Sequence, residues 1–483
     1  MQKQKKLVFV HTPIPIRDVE ARARYWESFD SRYYSVHPHA RPLDKFLFEL
    51  PHWATWLGGV VHAEGFTDLE ALDFFTECAV KDGIDENRIF DTLSNHPGDI
   101  YLFSPMTLNL PAALQIADMV KELYPNSINL FGGCVATPLH QELARHPSVD
   151  YVVTDRGEYA IVDLLKALRD GGDLSRVGHL TFEAEGKVVS TSRCYADIPV
   201  EEIPFPRVDL FPESSGSDLR YIRQNYALGC PFTCSFCTIQ TIGRKPSYFP
   251  IERVLSEVRA YRDRFGQHHH VYFGDETFTL NIPRTLEICA ALEDQGNIHF
   301  DCQTRLNCLR DERLAPALYR AGCRWVEIGL ETISQESQNQ FKQRTKLHEI
   351  EDALAELRDT GIPTCTFMVL GFPNETLSAM QRSLERVTHW IERGLLTASY
   401  LSVLVPYPGT DFHNEPEKYG MKLLHKDYSL YNEELPPVYD APFATSEQIY
   451  RLFLQGVAMF RKAMETPTAL ASRAPLYRRV VAS

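Results

Sequence analysis

Three cysteines near the middle of the chain, Cys230, Cys234 and Cys237, form a C-x3-C-x2-C array. Thiolates this close in sequence lie on one loop, and a soft cationic centre is needed to hold their sulfurs together. Three cysteines can bind a [4Fe–4S] cluster and leave one iron without a protein ligand. The array therefore predicts an iron–sulfur site with one coordination position open to a small molecule.

Structural zinc and a disulfide are the alternatives for these thiols. Structural zinc usually takes four protein ligands from two separated pairs, and no second C-x-x-C or C-x-x-H pair occurs in the sequence. The eleven cysteines are scattered and no signal peptide is recognisable, which predicts a reducing cytoplasmic environment. The cluster is therefore favoured over both alternatives.

The array resembles the signature of the radical S-adenosylmethionine (radical SAM) superfamily. In that family the cysteines bind the cluster, and the open iron is chelated by the amino and carboxylate groups of S-adenosylmethionine. An electron passed through the cluster cleaves this cofactor to methionine and a 5′-deoxyadenosyl radical, which abstracts hydrogen from the substrate. The resemblance implies that Phe236 lies near the adenine. It also implies an electron donor such as flavodoxin or ferredoxin.

Strands and helices alternate from residue 221 onward, which predicts six strand–helix units and a partial (β/α)6 barrel of the radical SAM type. The resemblance assigns strand-end residues to S-adenosylmethionine: Asp275, Glu276, Arg305, Glu331 and Gly371. The two acids after the second strand could receive the ammonium group of the cofactor, or they could be solvated loop acids. The arginine and glutamate that follow could reach the cofactor or form a structural ion pair.

The N-terminal part of the chain also alternates strands and helices, which predicts a doubly wound, Rossmann-like α/β domain. Ser104-Pro-Met-Thr107 and Gly132-Gly133 follow two of its strands, where ligands of such sheets bind. The order resembles the cobalamin-binding domain that precedes the barrel in one radical SAM subfamily. Val135 stands where that subfamily often has histidine, so the sequence leaves cobalamin binding open.

These patterns divide the chain into four predicted segments. They are a cobalamin-binding-like Rossmann domain over residues 1–170, a connector over 171–220, the barrel over 221–412, and a C-terminal lid and helical segment over 413–483. Within the first of them, residues 17–50 are predicted to form a long loop. Tyrosines recur in the last segment, where either substrate contact or plain packing would account for them: Tyr419, Tyr428, Tyr431 and Tyr439.

The charge balance limits the partners of this protein. Acidic residues outnumber basic ones by 64 to 50, and the formal net charge is −14. Such a chain has no basic excess with which to bind nucleic acid or anionic lipid, and a cationic substrate is tolerated better than an anionic one. The sequence also lacks a stretch long and apolar enough to span a membrane. We therefore expect a cytoplasmic enzyme with a polar small-molecule substrate.

The fate of the substrate radical has two candidate outcomes at this point. The acidic charge balance and Val135 favour dehydration or deoxygenation of an amino sugar, a lyase reaction of antibiotic biosynthesis. Similar architecture is known in the radical diol-dehydratase of apramycin biosynthesis. The alternative is a cobalamin-dependent C-methyltransferase. A redox sensor built on the cluster is disfavoured, because a sensor has no need of six barrel units with polar residues at their strand ends.

Overall fold

The computed structural model describes residues 5–15, 27–28, 31–32, 50–75, 77–192, 194–195, 198–211, 222–243, 245–265, 270–296, 298–342 and 346–466. The loop predicted over residues 17–50 lies almost wholly outside these ranges, as does the end of the C-terminal segment. Within them, no helix is long and apolar enough to cross a membrane.

Two sheets built mainly of parallel strands organise the protein, as the alternation of elements predicted. The strands are β1 Leu7–His11, β2 Leu69–Asp73, β3 Ala79–Val80, β4 Gly83–Ile84, β5 Ile100–Phe103, β6 Ile128–Phe131, β7 Tyr151–Val153, β8 Leu180–Ala184, β9 Lys187–Ser190, β10 Ile222–Gln224, β11 Ala227–Leu228, β12 Ser247–Tyr248, β13 Val271–Phe273, β14 Phe300–Arg305, β15 Cys323–Glu331, β16 Thr364–Leu370, β17 Ala398–Val403, β18 Lys422–Leu423 and β19 Tyr439–Asp440. The α-helices are α1 His52–Ala63, α2 Glu86–Asn95, α3 Leu110–Leu123, α4 Gly133–Ala136, α5 His140–Leu143, α6 Glu158–Asp170, α7 Ile251–Phe265, α8 Ile282–Gln295, α9 Leu314–Arg320, α10 Gln335–Ser337, α11 Ile350–Thr360, α12 Leu377–Glu392, α13 Asp411–Asn414 and α14 Ser446–Met464.

The first sheet has seven strands in the order β2-β1-β5-β6-β7-β8-β9, and the five from β2 to β7 run parallel. The hairpin β8–β9 joins its edge in antiparallel fashion, so the first sheet continues to Ser190, inside the predicted connector. Strand β2 was not expected from the sequence. Its residues Leu-Glu-Ala-Leu-Asp mix charged and apolar types because it is an edge strand that is only partly covered.

The second sheet has six parallel strands in the order β10-β13-β14-β15-β16-β17, which confirms the predicted partial barrel. Side chains alternate between its two faces. Phe273, Val326 and Ile328 are buried in the core beneath the surrounding helices. Tyr272 and Glu327, on the opposite face, are only half-buried and meet across the barrel interior. The barrel interior is therefore the accessible, polar side of this sheet.

Local sequence signals explain where the helices around the barrel begin. Helix α12 starts after Thr376, whose side chain accepts a hydrogen bond from the Ala379 amide at 3.3 Å. Helix α14 starts with a capping box between Thr445 and Gln448, so two otherwise unpaired amides gain partners. Helix α14 packs on α12 and β17 and so closes the outer side of the barrel at its last strand.

Candidate functional site

The cysteine array lies on the loop between β11 and β12, which pair in antiparallel fashion. Gly229 precedes the array with φ +83°, and a Cβ at this position would lie 2.6 Å from the Lys245 carbonyl oxygen. Only glycine therefore lets the two ends of the loop approach each other here. Cys230 and Cys234 are buried in a small apolar cluster with Phe232, and Cys237 packs against it partly exposed.

The chemistry of these thiols fits an iron–sulfur cluster. Burial raises the pKa of Cys230, and it raises the pKa of Cys237 to about 12, so thiolates here need the positive charge of a metal. Among the described residues, no group of three or more His, Cys, Asp or Glu side chains is placed to hold a single metal ion. A [4Fe–4S] cluster binds each cysteine through a different iron, so the sulfurs need not meet at one point.

Arg305 contacts the cysteine loop from the end of β14. Its Nη1 donates a hydrogen bond to Cys234 Sγ at 3.1 Å, and its Nη2 donates to the Lys342 carbonyl oxygen at 2.8 Å. The guanidinium also lies 3.8 Å from the centre of the Phe232 ring. Arg305 is therefore placed beside the cysteine array, with a cationic hydrogen bond to one of its sulfurs.

Glu331 forms a buried ion pair with Lys342, a residue that the sequence reasoning missed. Lys342 Nζ lies 2.6 Å from Glu331 Oε1. Glu331 has φ +66°, and a Cβ on Gly329 would lie 2.9 Å from the same oxygen, so the glycine makes room for the pair. Lys342 ends the π-helical turn Gln338–Lys342, and such turns are frequent at functional sites. No sequence pattern marks this pairing, because it depends on how the turn folds back over β15.

Asp275 and Glu276, predicted as a pair, face different surroundings. The Asp275 carboxylate accepts hydrogen bonds from the Tyr226 and Ala227 amides, and its pKa is raised to about 8 by burial. Both oxygens of the Asp275 carboxylate are therefore occupied by amides of the segment that leads to the cysteine loop. Glu276 borders a cavity, and burial raises its pKa although Arg223 and Arg156 act in the opposite direction. Glu276 is therefore the acid of the two that is open to a ligand.

Gly371 directly follows strand β16, and Phe236 of the cysteine loop packs beside this strand end. Gly371 has φ +104°, and its carbonyl oxygen accepts a hydrogen bond from the Tyr439 hydroxyl at 2.6 Å. A Cβ on Gly371 would overlap that hydroxyl. The Phe236 ring meets the Phe372 ring edge-on at 5.7 Å, and Lys342 Nζ lies 5.8 Å from its centre. Cys234, Arg305, Glu331 and Phe236 are thus linked through Lys342 in one site.

A cavity of about 270 Å³ lies between the two domains. The first domain contributes Ser104, Gly132 and Gly133, which follow β5 and β6, and the barrel domain contributes Gly229 and Glu276. A Cβ on Gly133, where φ is +92°, would overlap the Ser104 hydroxyl. The two motifs singled out after strands of the first domain therefore border one cavity, which also reaches the loop beside the cysteines.

The tyrosines of the C-terminal segment pack rather than open onto the barrel interior. Tyr431 is fully buried and donates a hydrogen bond to the His425 carbonyl oxygen at 3.1 Å. Tyr428 packs on Tyr431 and on the core of the first domain. Tyr419 meets Phe412 edge-on at 4.9 Å, and Tyr439 is buried against Gly371. Of the two roles left open for these residues, the structure supports packing.

Comparison with known proteins shows which proteins the chain is similar to. Residues 225–387 match the Radical SAM superfamily. The chain is 26% identical to the anaerobic magnesium-protoporphyrin IX monomethyl ester cyclase of Rubrivivax gelatinosus over 406 residues, which are 80% of this chain and 69% of that protein. It is also 26% identical to an uncharacterized methyltransferase, PH0819, of Pyrococcus horikoshii, over 78% of this chain and 83% of that protein.

A solved structure shares the fold of both domains. It is the radical S-adenosylmethionine methyltransferase TsrM of Kitasatospora setae, with cobalamin and a [4Fe–4S] cluster bound. The TM-score is 0.70 at 15% sequence identity, and the match covers 96% of this chain and 89% of that chain. The predicted fold class, a Rossmann-like domain followed by a radical SAM barrel, is thereby confirmed.

Proposed function

We propose that this chain, which is a radical SAM enzyme, transfers a methyl group to carbon with the aid of a cobalamin bound between its two domains. The observation that carries the proposal is the cavity between the strand ends of the first sheet and the cysteine loop. Ligands of doubly wound sheets bind at this edge. A cavity at this edge, next to the cysteine loop, would hold a cofactor of the first domain close to the reaction site of the second domain.

The lining of the cavity suits the nucleotide tail of cobalamin. Its apolar walls include Trp53, Leu130 and Val153, which would hold an aromatic base. Arg156 and Lys245 also border it and would pair with a phosphate. When bound, the cobalamin supplies the methyl group, and the cluster with S-adenosylmethionine supplies the radical. The protein's own part is to bind these groups side by side and to exclude water.

The valine at position 135 does not argue against cobalamin. Its side chain is 2% exposed, packs in the core of the first domain and is not among the residues that border the cavity. The sequence preference for dehydration rested partly on this valine, and the proteins compared lend that reaction no support. The relatives include a methyltransferase, and the matched structure is one as well. Methyl transfer, the alternative from the sequence, is therefore the function proposed.

The other assignments at the site follow from this function. We propose that Cys230, Cys234 and Cys237 bind the cluster. The residues around the open iron of the cluster would contact S-adenosylmethionine. These residues are Phe236, Glu276, Glu331 and Gly371, with Arg305 acting through Cys234. Asp275 is not in this set, because its carboxylate already accepts hydrogen bonds from two backbone amides. A small reductant protein such as flavodoxin or ferredoxin would supply the electron.

The test is cofactor analysis of protein produced without oxygen in the presence of iron, sulfide and hydroxocobalamin. We expect four irons and one cobalamin per chain after unbound pigment is removed. With methyl-labelled S-adenosylmethionine, the extracted cobalamin should carry the label. Protein that holds four irons and no cobalamin would overturn the proposal, and radical dehydration would become the favoured reaction.

Two matched variants locate the cobalamin. In Gly132→Val the new Cβ meets only ordinary contacts, the nearest at 3.5 Å, so the side chain narrows the cavity without backbone strain. We expect this variant to lose at least tenfold in cobalamin affinity and to keep its four irons. Gly83→Val makes the same substitution on the distant hairpin β3–β4, with its nearest neighbour at 3.9 Å, and should bind cobalamin normally. Equal binding by both variants would place cobalamin elsewhere.

A further inference from the structure

We infer that the substrate carries an ammonium group and that Glu433, on the segment that closes the barrel, receives it. The inference rests on the proposed function, because it takes the barrel interior as the substrate site. It adds the chemical class of the substrate and a residue that determines specificity. Neither the cysteine array nor the strand-end pattern pointed to this residue.

The backbone holds Glu433 over the last barrel strand. The Val403 amide, at the end of β17, donates a hydrogen bond to the Glu433 carbonyl oxygen at 2.7 Å. The side chain then reaches Tyr407, whose hydroxyl donates to Glu433 Oε1 at 3.0 Å, and Tyr400, whose hydroxyl lies 3.5 Å from Oε2. Tyr400 belongs to the same strand, and its ring meets Phe367 of β16. The carboxyl group is therefore at the mouth of the barrel.

Among the residues that the structure describes, Glu433 has no cationic partner to offset its charge. No Lys, Arg or His nitrogen of the described ranges lies within 4 Å of its carboxylate. Its charged neighbour is another acid, Glu331, which is already paired with Lys342. Burial raises the pKa of Glu433, while the hydrogen bonds from Tyr407 and Tyr400 act in the opposite direction. A ligand that brings a positive charge would supply what the site lacks.

A second carboxyl group deeper in the barrel has the same character. Glu327 accepts a hydrogen bond from the Tyr272 hydroxyl at 3.2 Å. Burial, followed by the charge of Asp301, raises the pKa of Glu327 to about 8. Arg223 lowers this pKa in part, so Glu327 is less isolated than Glu433. The interior thus presents two acids to a substrate, which disfavours anionic substrates.

An ammonium group is the ligand chemistry that these contacts select. A neutral hydroxyl group would only replace one of the tyrosine hydroxyls and would leave the carboxylate without a countercharge. An ammonium group donates up to three hydrogen bonds and carries a full positive charge, so it stabilises the ionised carboxylate. Burial strengthens this pairing, because water screens it less.

The test compares two small probes that differ in charge, propylammonium chloride and 1-propanol, with sodium chloride added to the second for equal ionic strength. The protein is the holoenzyme with cluster, cobalamin and S-adenosylmethionine bound. We expect propylammonium to raise the thermal midpoint by roughly 2 °C more than 1-propanol does, when it is present at several times its Kd. Equal shifts with the two probes would overturn the inference.

Three variants assign the effect to one carboxyl group. Glu433→Gln keeps the shape and the acceptor for Tyr407 and should abolish the difference between the probes. Glu433→Asp keeps the charge and should retain part of the difference between the two probes. Glu417→Gln, at an exposed position of the same segment, should behave as wild type. A Glu433→Gln protein that still distinguishes the probes would refute the role of Glu433. Cobalamin content and label transfer to it, measured on the same preparations, report separately on the proposed function.

Discussion

Arg305 is placed to act on a cluster bound by the three cysteines without itself binding to iron. Its guanidinium is fixed by the Phe232 ring and by the Lys342 carbonyl oxygen, so its Nη1 stays directed at Cys234 Sγ. Hydrogen bonds and positive charge near the sulfurs stabilise the reduced, more negative cluster. At the scale of single residues, we therefore expect Arg305 to set the reduction potential.

Replacement of Arg305 by methionine tests this role. The loss of a charged hydrogen bond of about 1.5 to 3 kcal/mol should lower the reduction potential by roughly 60 to 130 mV. The measurement is a redox titration followed by electron paramagnetic resonance, with iron content determined on the same sample. Arg313→Met, at an exposed position on the following segment, is the control and should leave the potential unchanged. An unchanged potential in Arg305→Met with four irons bound would contradict the assignment.

At the scale of elements, the C-terminal segment is fastened to the barrel by the end of β16. The Tyr439 hydroxyl, at the start of β19, donates to the Gly371 carbonyl oxygen, and the backbone of Gly371 has φ +104°. Tyr439 is fully buried, so its hydroxyl has no access to water as a replacement partner. Apart from the cofactor contact proposed for it, Gly371 therefore admits the tyrosine that holds the segment with Glu433.

A double-mutant cycle tests this attachment. Gly371→Ala should destabilise the protein by about 2 to 5 kcal/mol, through the positive φ and through overlap with the Tyr439 hydroxyl. Tyr439→Phe should cost about 1 to 3 kcal/mol. The double variant should cost less than the sum of the two, by about 1 to 3 kcal/mol, because the overlapping atom is gone. The measurement is urea unfolding followed by fluorescence.

Gly296→Ala separates strain from overlap in the same experiment. Gly296 also has a positive φ, +62°, and its Cβ would meet no atom within 4 Å. This control should show the cost of the backbone conformation alone. Costs that simply add in the Gly371 and Tyr439 cycle would mean that the two residues do not interact.

At the scale of the whole molecule, the two domains share one packed surface beside the cavity. Trp56 lies on α1 in the N-terminal part of the chain and packs in the core of the barrel domain, with its ring 5.9 Å from that of Phe249. Its Nε1 donates a hydrogen bond to Glu158 Oε1 at 3.1 Å, which ties it to α6. Trp56 also borders the cavity, so the proposed cobalamin site and the packing between the domains share this side chain.

Trp56→Ala should therefore weaken both properties. We expect a loss of about 3 to 5 kcal/mol in stability and faster proteolysis within residues 198–211, which connect the domains. Cobalamin should bind more weakly as well. Trp53→Ala is the matched variant, because Trp53 borders the same cavity but packs on Phe9 of the first sheet. It should weaken cobalamin binding and leave the connector protected. The same proteolysis in both variants would argue against a role of Trp56 in joining the domains.

The amino-acid sequence by itself determined the order of the elements and the position of the cysteine loop. Both depend on local patterns: the alternation of apolar strands with amphipathic helices, and three cysteines within eight residues, from 230 to 237. Such patterns can be recognised without knowledge of contacts between distant parts of the chain. The radical SAM resemblance, the Rossmann-like domain, the partial barrel and the enzyme class were all predicted in this way and are confirmed.

Only the tertiary structure decided which of the candidate side chains border a cavity and which are held by other groups of the protein. Asp275 and Glu276 are neighbours in sequence, and the direction of each carboxylate follows from the strand and from the amides packed against it. The partner of Glu331 is Lys342, which reaches it through a π-helical turn. Glu433 and the cavity between the domains arise where segments far apart in the chain meet. No local pattern encodes such meetings, because they depend on packing across the whole fold.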